Sequence, residues 1–161
     1  MWRISVTDGI QVAAPATVIY DLLAEQLSET NDDPQSMVKR RPLDAGPVAP
    51  GYRYESTVVH NRHLCRSEGT VTRAERPRVL EETMDHYCAD ASRTVKGGDR
   101  WELRGVGGGA TEVSLTAWKD RSGVGGLFVK WLANRSVSKI SIQRRLAYVQ
   151  FEAERRVKES G

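Results

Sequence analysis

The segment that decides the fold is residues 51–88, GYRYESTVVHNRHLCRSEGTVTRAERPRVLEETMDHYC. It contains three runs rich in β-branched and aromatic residues, at 51–60, 64–75 and 79–88. The turn candidates Asn61-Arg62 and Arg76-Pro77 separate them. Strands with such short links pair antiparallel, because a parallel crossover needs a dozen or more residues. The segment therefore predicts two consecutive hairpins of one antiparallel sheet.

The two turns also fix which side chains share a face of the sheet. If each turn has two residues, Tyr54 lies opposite Gly69 and Cys65 lies opposite Cys88. One face then carries mostly charged residues and threonines, which is typical of a face in contact with water. The other face is predicted to point inward, and it consists of Tyr52, Tyr54, Ser56, Val58, His60, His63, Cys65, Ser67, Gly69, Val71, Leu80, Glu82, Met84, His86 and Cys88.

The rest of the chain supplies further strands and two helices. Alternation over 4–13 predicts a first strand, and Pro15 opens a short helix. The polar stretch 28–36 fits either a second short helix or a loop. Three more strands are predicted at 37–41, 92–104 and 111–119. After the glycine-rich residues 123–126, one long helix is predicted to run to about Val157.

The long helix carries an apolar stripe that is expected to lie against the sheet. At about 100° per residue the stripe consists of Leu127, Phe128, Trp131, Leu132, Ile142, Leu146 and Val149. Arg135 and Ser138 occupy the middle of this stripe. Two alternatives are open for Arg135: it reaches the surface, or it meets a carboxylate, a ligand or water inside.

Composition limits the class of protein. The 161 residues, of which 39% are hydrophobic and 28% charged, are those of a single globular domain spanning 1–161. A formal charge of +3 is too small and too dispersed to indicate nucleic-acid binding, and the basic run Lys39-Arg40-Arg41 is expected on a solvated face. No apolar run reaches the ~18 residues of a membrane span, so the cytoplasm is the expected location. Cys65 and Cys88 are therefore predicted to be reduced thiols.

Several stretches resemble the START/Bet v 1-like helix-grip superfamily (SRPBCC), and especially its polyketide cyclase/dehydrase-like group. They are IQVAAPATVIYD at 10–21, PGYR at 50–53, VTRAERPRVL at 71–80, and WEL at 101–103 with GATEVSL at 109–115. The resemblance covers nearly the whole chain. It implies an α+β fold in which a curved antiparallel sheet of about seven strands wraps around a long C-terminal helix.

The resemblance also implies a function. Similar proteins include aromatic polyketide cyclases, lipid and hormone carriers and quinone-binding proteins. The leading hypothesis is that the chain binds a hydrophobic small molecule of the lipid, polyketide, isoprenoid or quinone type between sheet and helix. A cofactor-independent cyclase or dehydratase is the second hypothesis, and an interaction protein with a vestigial cavity is the third. The cyclases carry paired arginines in their cavities, and Arg135 is the one inward arginine that the pattern identifies here.

The inner face is too polar for a core filled only by side chains, and it suits a pocket with a few orienting groups. The predicted ligand-binding residues are Tyr52, Tyr54, Ser56, Ser67, Gly69, Glu82, Met84, His86, Trp101, Trp131, Arg135 and Ser138. Gly69 is expected to leave space that a neighbouring aromatic ring or a ligand occupies.

Catalysis, if present, would fall to His86 and Glu82 as acid/base residues. They stand four positions apart on one strand, roughly 13 Å, which is too far for direct proton transfer. No inward serine has a demonstrable histidine partner, so no Ser/His/Asp triad is predicted. The inner face also carries side chains of the types that bind zinc, namely His63, Cys65, His86 and Cys88. Their spacing along the chain is not that of a structural zinc site, so no metal is predicted. No cofactor is predicted either.

Overall fold

The computed structural model describes residues 2–31, 38–60, 63–88, 95–121 and 127–161. Within these ranges it does not describe the side chains of residues 2, 58–60, 63–64, 88, 121 and 127–138. The elements in chain order are β1 (Trp2–Val12), α1 (Ala16–Ser28), β2 (Val38–Pro42), β3 (Arg53–His60), β4 (His63–Glu75), β5 (Val79–Cys88), β6 (Val95–Gly107), β7 (Ala110–Arg121) and α2 (Leu127–Ser160).

The strands form one seven-stranded antiparallel sheet in the order β1-β7-β6-β5-β4-β3-β2. This confirms the predicted α+β helix-grip fold, with consecutive strands from β2 to β7 paired as neighbours. The first strand closes the other edge by pairing with β7. The undecided stretch 28–36 lies largely outside the described residues, since 32–37 are among those not described.

The registers of the two central hairpins are those that the sequence predicts. Tyr54 pairs with Gly69, and Cys65 pairs with Cys88. The tip of the second hairpin differs, because Glu75 pairs with Val79 and the turn contains three residues, 76–78, rather than two. A bulge between Val71 and Arg73 adds one residue to β4 and so compensates for the longer turn. The two irregularities cancel, so the predicted pairing is kept from Val71 and Glu82 onward.

The core lies where α2 packs across the sheet and against α1. Ile142, Leu146 and Val149 are buried, as the stripe predicts, and Ala153 extends the stripe by one turn. Each large apolar side chain buried there contributes about 1.5–3 kcal/mol. The first four residues of the predicted stripe lie outside the described side chains.

Polar contacts fix the C-terminal half of α2 to its neighbours. The backbone N–H of Ala13 donates to Glu154 Oε1 at 3.1 Å, and Arg156 pairs with Glu25 of α1 at 2.7 Å. In the part of the chain that the structure describes, no helix combines the length and apolar character needed to cross a bilayer.

The prediction that both cysteines are reduced thiols is wrong. Cys65 is buried and disulfide-bonded in the structure. Cys88 is the other cysteine of the chain and lies directly opposite it in the sheet. Directly opposed residues of an antiparallel pair have Cβ atoms about 4.5–5.5 Å apart, close to the separation that a disulfide spans. The prediction was drawn from the expected compartment, whereas the register decides the pairing.

Candidate functional site

Tyr54 lies with its ring against Gly69 on the inner face. A Cβ placed on Gly69 would stand 2.1 Å from Tyr54 Cζ, so the ring occupies the space that a side chain would need. Of the two occupants that the sequence allows for this space, the neighbouring aromatic ring is the one present. Gly69 therefore contributes to the site by positioning Tyr54, which is almost fully buried at 1% exposure.

The Tyr54 hydroxyl donates a hydrogen bond to Glu82 Oε2 at 2.6 Å. Glu82 is a buried residue of β5. Its burial, and then the nearby charge of Asp99, raise the pKa of the Glu82 carboxyl, and the Tyr54 bond only partly offsets them. Burial and the negative charge of Glu82 likewise raise the pKa of the Tyr54 phenol. Both shifts favour the protonated form, and Glu82 is therefore the carboxyl group here that is favoured to hold a proton to higher pH than usual.

Asp99 is a second buried carboxylate, and it is absent from the residues predicted for the site. It lies directly opposite Glu82 in the β5–β6 pairing. Arg145 of α2 contacts it, with Nη1 2.7 Å from Asp99 Oδ2, and the same guanidinium lies 5.3 Å from the centre of the Trp101 ring. We call Tyr54, Glu82, Asp99 and Arg145 the carboxylate cluster. A signal for Asp99 was available, because it stands two positions before the inward Trp101 on the same strand.

Arg40 brings another cation to this cluster from β2. It is half-buried, whereas Lys39 and Arg41 on either side are exposed. Its Nη1 donates to the carbonyl oxygen of Gln26 at 2.7 Å, and its guanidinium lies 5.4 Å from the centre of the Tyr54 ring. The expectation of a solvated basic run is therefore wrong for Arg40, because the alternation of β2 turns this residue toward the inner face.

Two arginines other than Arg135, namely Arg40 and Arg145, approach the interior, so the pattern that identifies Arg135 alone is incomplete. Arg40 and Arg145 both come close to Glu82 and act on its charge. Arg145 directly precedes the buried Leu146, and the apolar stripe does not identify it because its side chain is charged. The side chains of Trp131, Arg135 and Ser138 lie outside those that the structure describes, so their predicted roles stay predictions.

A cleft of about 190 Å³ opens beside the carboxylate cluster, and it is lined by Gln26, Trp101, Arg144, Arg145, Tyr148 and Val149. Its walls combine apolar rings with the guanidinium that contacts Asp99. Tyr148 is 53% exposed, so this edge of the cleft is accessible to solvent. A small molecule in the cleft can therefore reach the guanidinium of Arg145, which contacts the buried Asp99.

Ser67 and His86 form a separate polar pair on the same face. Ser67 Oγ lies 2.6 Å from His86 Nδ1, which corrects the expectation that no inward serine has a histidine partner. The cause is the β4–β5 register, which sets these residues directly opposite one another. Burial, and then the charge of Lys119, lower the pKa of His86, so the ring is neutral near pH 7.

The other predicted residues occupy the same face. Tyr52 is buried at 6% exposure, while Ser56 and Met84 are half-buried. Met84 lies between Glu82 and His86 on β5, so the carboxylate cluster and the Ser67–His86 pair are distinct groups, as their spacing predicts.

The cysteine and histidine patch does not offer a free thiolate at Cys65, because that sulfur is in a disulfide. His63 and Cys88 have side chains outside those described. Over the described residues there is no group of three or more His, Cys, Asp or Glu side chains arranged to hold a metal ion.

No protein-family model matches the sequence, and no curated protein matches it. The solved structure of the Zhui aromatase/cyclase from Streptomyces sp. R1128 is 22% identical, with a TM-score of 0.64 over 99% of each chain. A conserved protein from Geobacillus kaustophilus is 13% identical, with a TM-score of 0.67 over 94% of this chain and 96% of that one.

A START superfamily protein from Mycobacterium smegmatis is 14% identical, with a TM-score of 0.54 over 90% of this chain and 96% of that one. At these identities the likeness concerns the fold. Each match extends over almost the whole chain, and the strand order, the short α1 and the long α2 agree with the fold that the sequence predicts. The chain therefore has the same fold as these solved structures, the α+β helix-grip fold that its sequence predicts.

Proposed function

We propose that the protein binds a hydrophobic small molecule of the lipid, polyketide, isoprenoid or quinone type between the sheet and α2. The observation that carries this proposal is the cleft beside Trp101 and Arg145, which adjoins the buried pair Glu82 and Asp99. A pocket with mostly apolar walls and a few convergent polar groups is what such ligands require. A ligand oxygen would contact the cluster, and its apolar body would lie along the rings.

A purely structural role explains the cluster less well. Two carboxylates buried side by side cost several kcal/mol unless they are protonated, paired or hydrogen-bonded. Glu82 and Asp99 are both at most 5% exposed, and one cation contacts Asp99 directly. Replacing such a group by apolar side chains is often neutral or stabilising, so its presence favours a use in binding or chemistry.

The test is a titration of the folded protein with N-phenyl-1-naphthylamine, an uncharged apolar dye. Binding is measured as quenching of tryptophan fluorescence. We expect saturable binding that quenches Trp101, which lines the cleft. The matched control is Trp118, which faces the outer surface and lies under Arg3 at 3.7 Å. Trp101→Phe should reduce the quenching and Trp118→Phe should leave it unchanged. Absence of saturable binding would contradict the proposal and favour the interaction protein with a vestigial cavity.

A cyclase or dehydratase is the second candidate, and the raised pKa of Glu82 beside Asp99 favours it. A carboxylic acid held protonated donates a proton to a ligand carbonyl, while a neighbouring carboxylate accepts one from carbon. This pair would carry general acid/base catalysis without a cofactor. One of the similar solved structures is described as an aromatase/cyclase.

Incubation with a synthetic poly-β-ketone thioester tests this second function. Formation of an aromatic product, read by its ultraviolet absorbance, is expected to be lost in Glu82→Gln, while dye binding is retained. Binding without any product from the wild type would leave the carrier function alone.

The cytoplasmic location expected from the sequence remains a prediction, and the disulfide at Cys65 weighs against it, because disulfides are rare there.

A further inference from the structure

His86 has one ring nitrogen that the described structure leaves without a partner. Nδ1 is taken by Ser67, whereas Nε2 is buried and has no hydrogen-bond partner among the described residues. The ring lies against Gly97, since a Cβ on that residue would stand 3.0 Å from Nε2. Ser67 and Gly97 together hold the imidazole in one place, with a single free hydrogen-bonding position.

A buried polar atom without a partner costs about 1–3 kcal/mol, and native proteins rarely leave one unexplained. Nucleophilic catalysis does not explain this one. Ser67 is only 4% exposed, and a third group that would orient His86 through Nε2 is missing from the described residues. A ligand atom that completes the hydrogen bonding of Nε2 does explain it.

We propose that His86 Nε2 is a second polar contact for the ligand, at the far side of Met84 from the carboxylate cluster. This inference rests on the proposed function and specifies its ligand. Glu82, Met84 and His86 point to the same face of β5, because side chains two apart along a strand do so. Met84 is half-buried between them and supplies apolar contact.

The spacing sets the shape of the ligand. The backbone positions of Glu82 and His86 are four strand residues apart, about 13 Å. A ligand that contacts both side chains therefore needs an elongated body with a polar atom near each end. A flat, fused-ring molecule with an oxygen at each end has this shape. The ligand class is therefore a two-ended aromatic diphenol or the corresponding quinone, rather than a fatty acid with one polar end.

The experiment compares 2,6-naphthalenediol with 2-naphthol, which lacks the second hydroxyl, by displacement of N-phenyl-1-naphthylamine. One hydrogen bond of ordinary strength corresponds to about 2–10-fold in affinity, so we expect the wild type to prefer the diol by that factor. His86→Phe should abolish the preference for the diol. His86→Leu serves the same purpose if the phenylalanine variant does not fold.

Two further variants separate hydrogen bonding from packing. His86→Gln keeps an amide near the position of Nε2 and should retain the preference for the diol. Asp85→Asn, next along the strand and on the opposite face, should not change it.

Equal affinity of the wild type for the two naphthols, or a preference that survives His86→Phe, would overturn the role of His86. The proposed function would stand in either case, because 2-naphthol would still bind. If neither naphthol displaces the dye although the dye binds, the two-ended ligand is refuted. If no probe binds at all, the proposed function fails and this inference fails with it.

Discussion

Replacing Gly69 by alanine tests whether the Tyr54 ring fixes the carboxylate cluster. The new Cβ would stand 2.1 Å from Tyr54 Cζ, 2.3 Å from Cε1 and 2.5 Å from the hydroxyl oxygen. Real Cβ atoms do not approach other atoms so closely, so the ring has to move. Tyr54 is 1% exposed and has packed neighbours, and its displacement breaks the 2.6 Å bond to Glu82.

The expected cost has two parts. Leaving the buried Glu82 without its donor costs about 1–3 kcal/mol. Forcing a methyl group into a packed site costs about 1–3 kcal/mol more. The sum is about 2–6 kcal/mol. For a chain of this size each kcal/mol lowers Tm by about 2–4 °C, so we expect a decrease of at least about 4 °C.

Urea unfolding and thermal melting measure this cost, and Gly105→Ala is the matched control. Gly105 also lies in a strand, but a Cβ there would meet nothing within 4 Å, so its replacement should change stability by less than about 0.5 kcal/mol. In a Tyr54→Ala background the space is free, and Gly69→Ala should then cost less than about 1 kcal/mol. Equal costs for Gly69→Ala with and without the Tyr54 ring would refute the reasoning.

Three further predictions concern charge and the disulfide. Burial raises the pKa of Glu82, so the folded chain holds a proton that the unfolded chain releases above about pH 4.3. The free energy of unfolding should therefore fall as pH rises through the raised pKa. Glu82→Gln should flatten this pH dependence, measured by urea unfolding. Arg145→Met leaves Asp99 without its contacting cation and should lower the free energy of unfolding by about 1–3 kcal/mol, a value reduced because Arg145 is 38% exposed. The control is Arg100→Met on the outer face, where the side chain is also 38% exposed and the loss should be at most about 1 kcal/mol. Thiol titration of the denatured, unreduced protein should find no free thiol at Cys65, and a titratable thiol would contradict the disulfide. Cys65→Ser should lower the free energy of unfolding by about 3 kcal/mol.

The fold could be predicted because its strands alternate clearly and the links between them are short. The pairing of Tyr54 with Gly69 follows from one turn, and two hairpins read independently agree on the same inner face. The bulge near Thr72 could not be predicted. It adds one residue to a strand that alternates without any break in composition, and the longer turn at Arg76 hides it by restoring the register.

The site was predicted less completely, because charged residues were assigned to solvent by default. Tyr54, Glu82, Trp101 and His86 were found from alternation alone. Asp99 obeys the same alternation, but nothing in its residue type indicates burial. Arg145 depends on a contact between distant elements, α2 and β6, which no local pattern contains.

Glycines in the strands explain where the polar groups of the inner face stand. The Tyr54 ring lies against Gly69 on the neighbouring strand, and the His86 ring lies against Gly97. A larger side chain at either glycine would push the ring away from the sheet, and with it the atom that the ring presents. The Tyr54 hydroxyl is thereby held against Glu82, and His86 Nε2 is held in place without a hydrogen-bond partner in the described part of the chain. A strand glycine ordinarily weakens a sheet, so two of them beneath polar rings on one face are better explained by the positions they give those rings than by stability.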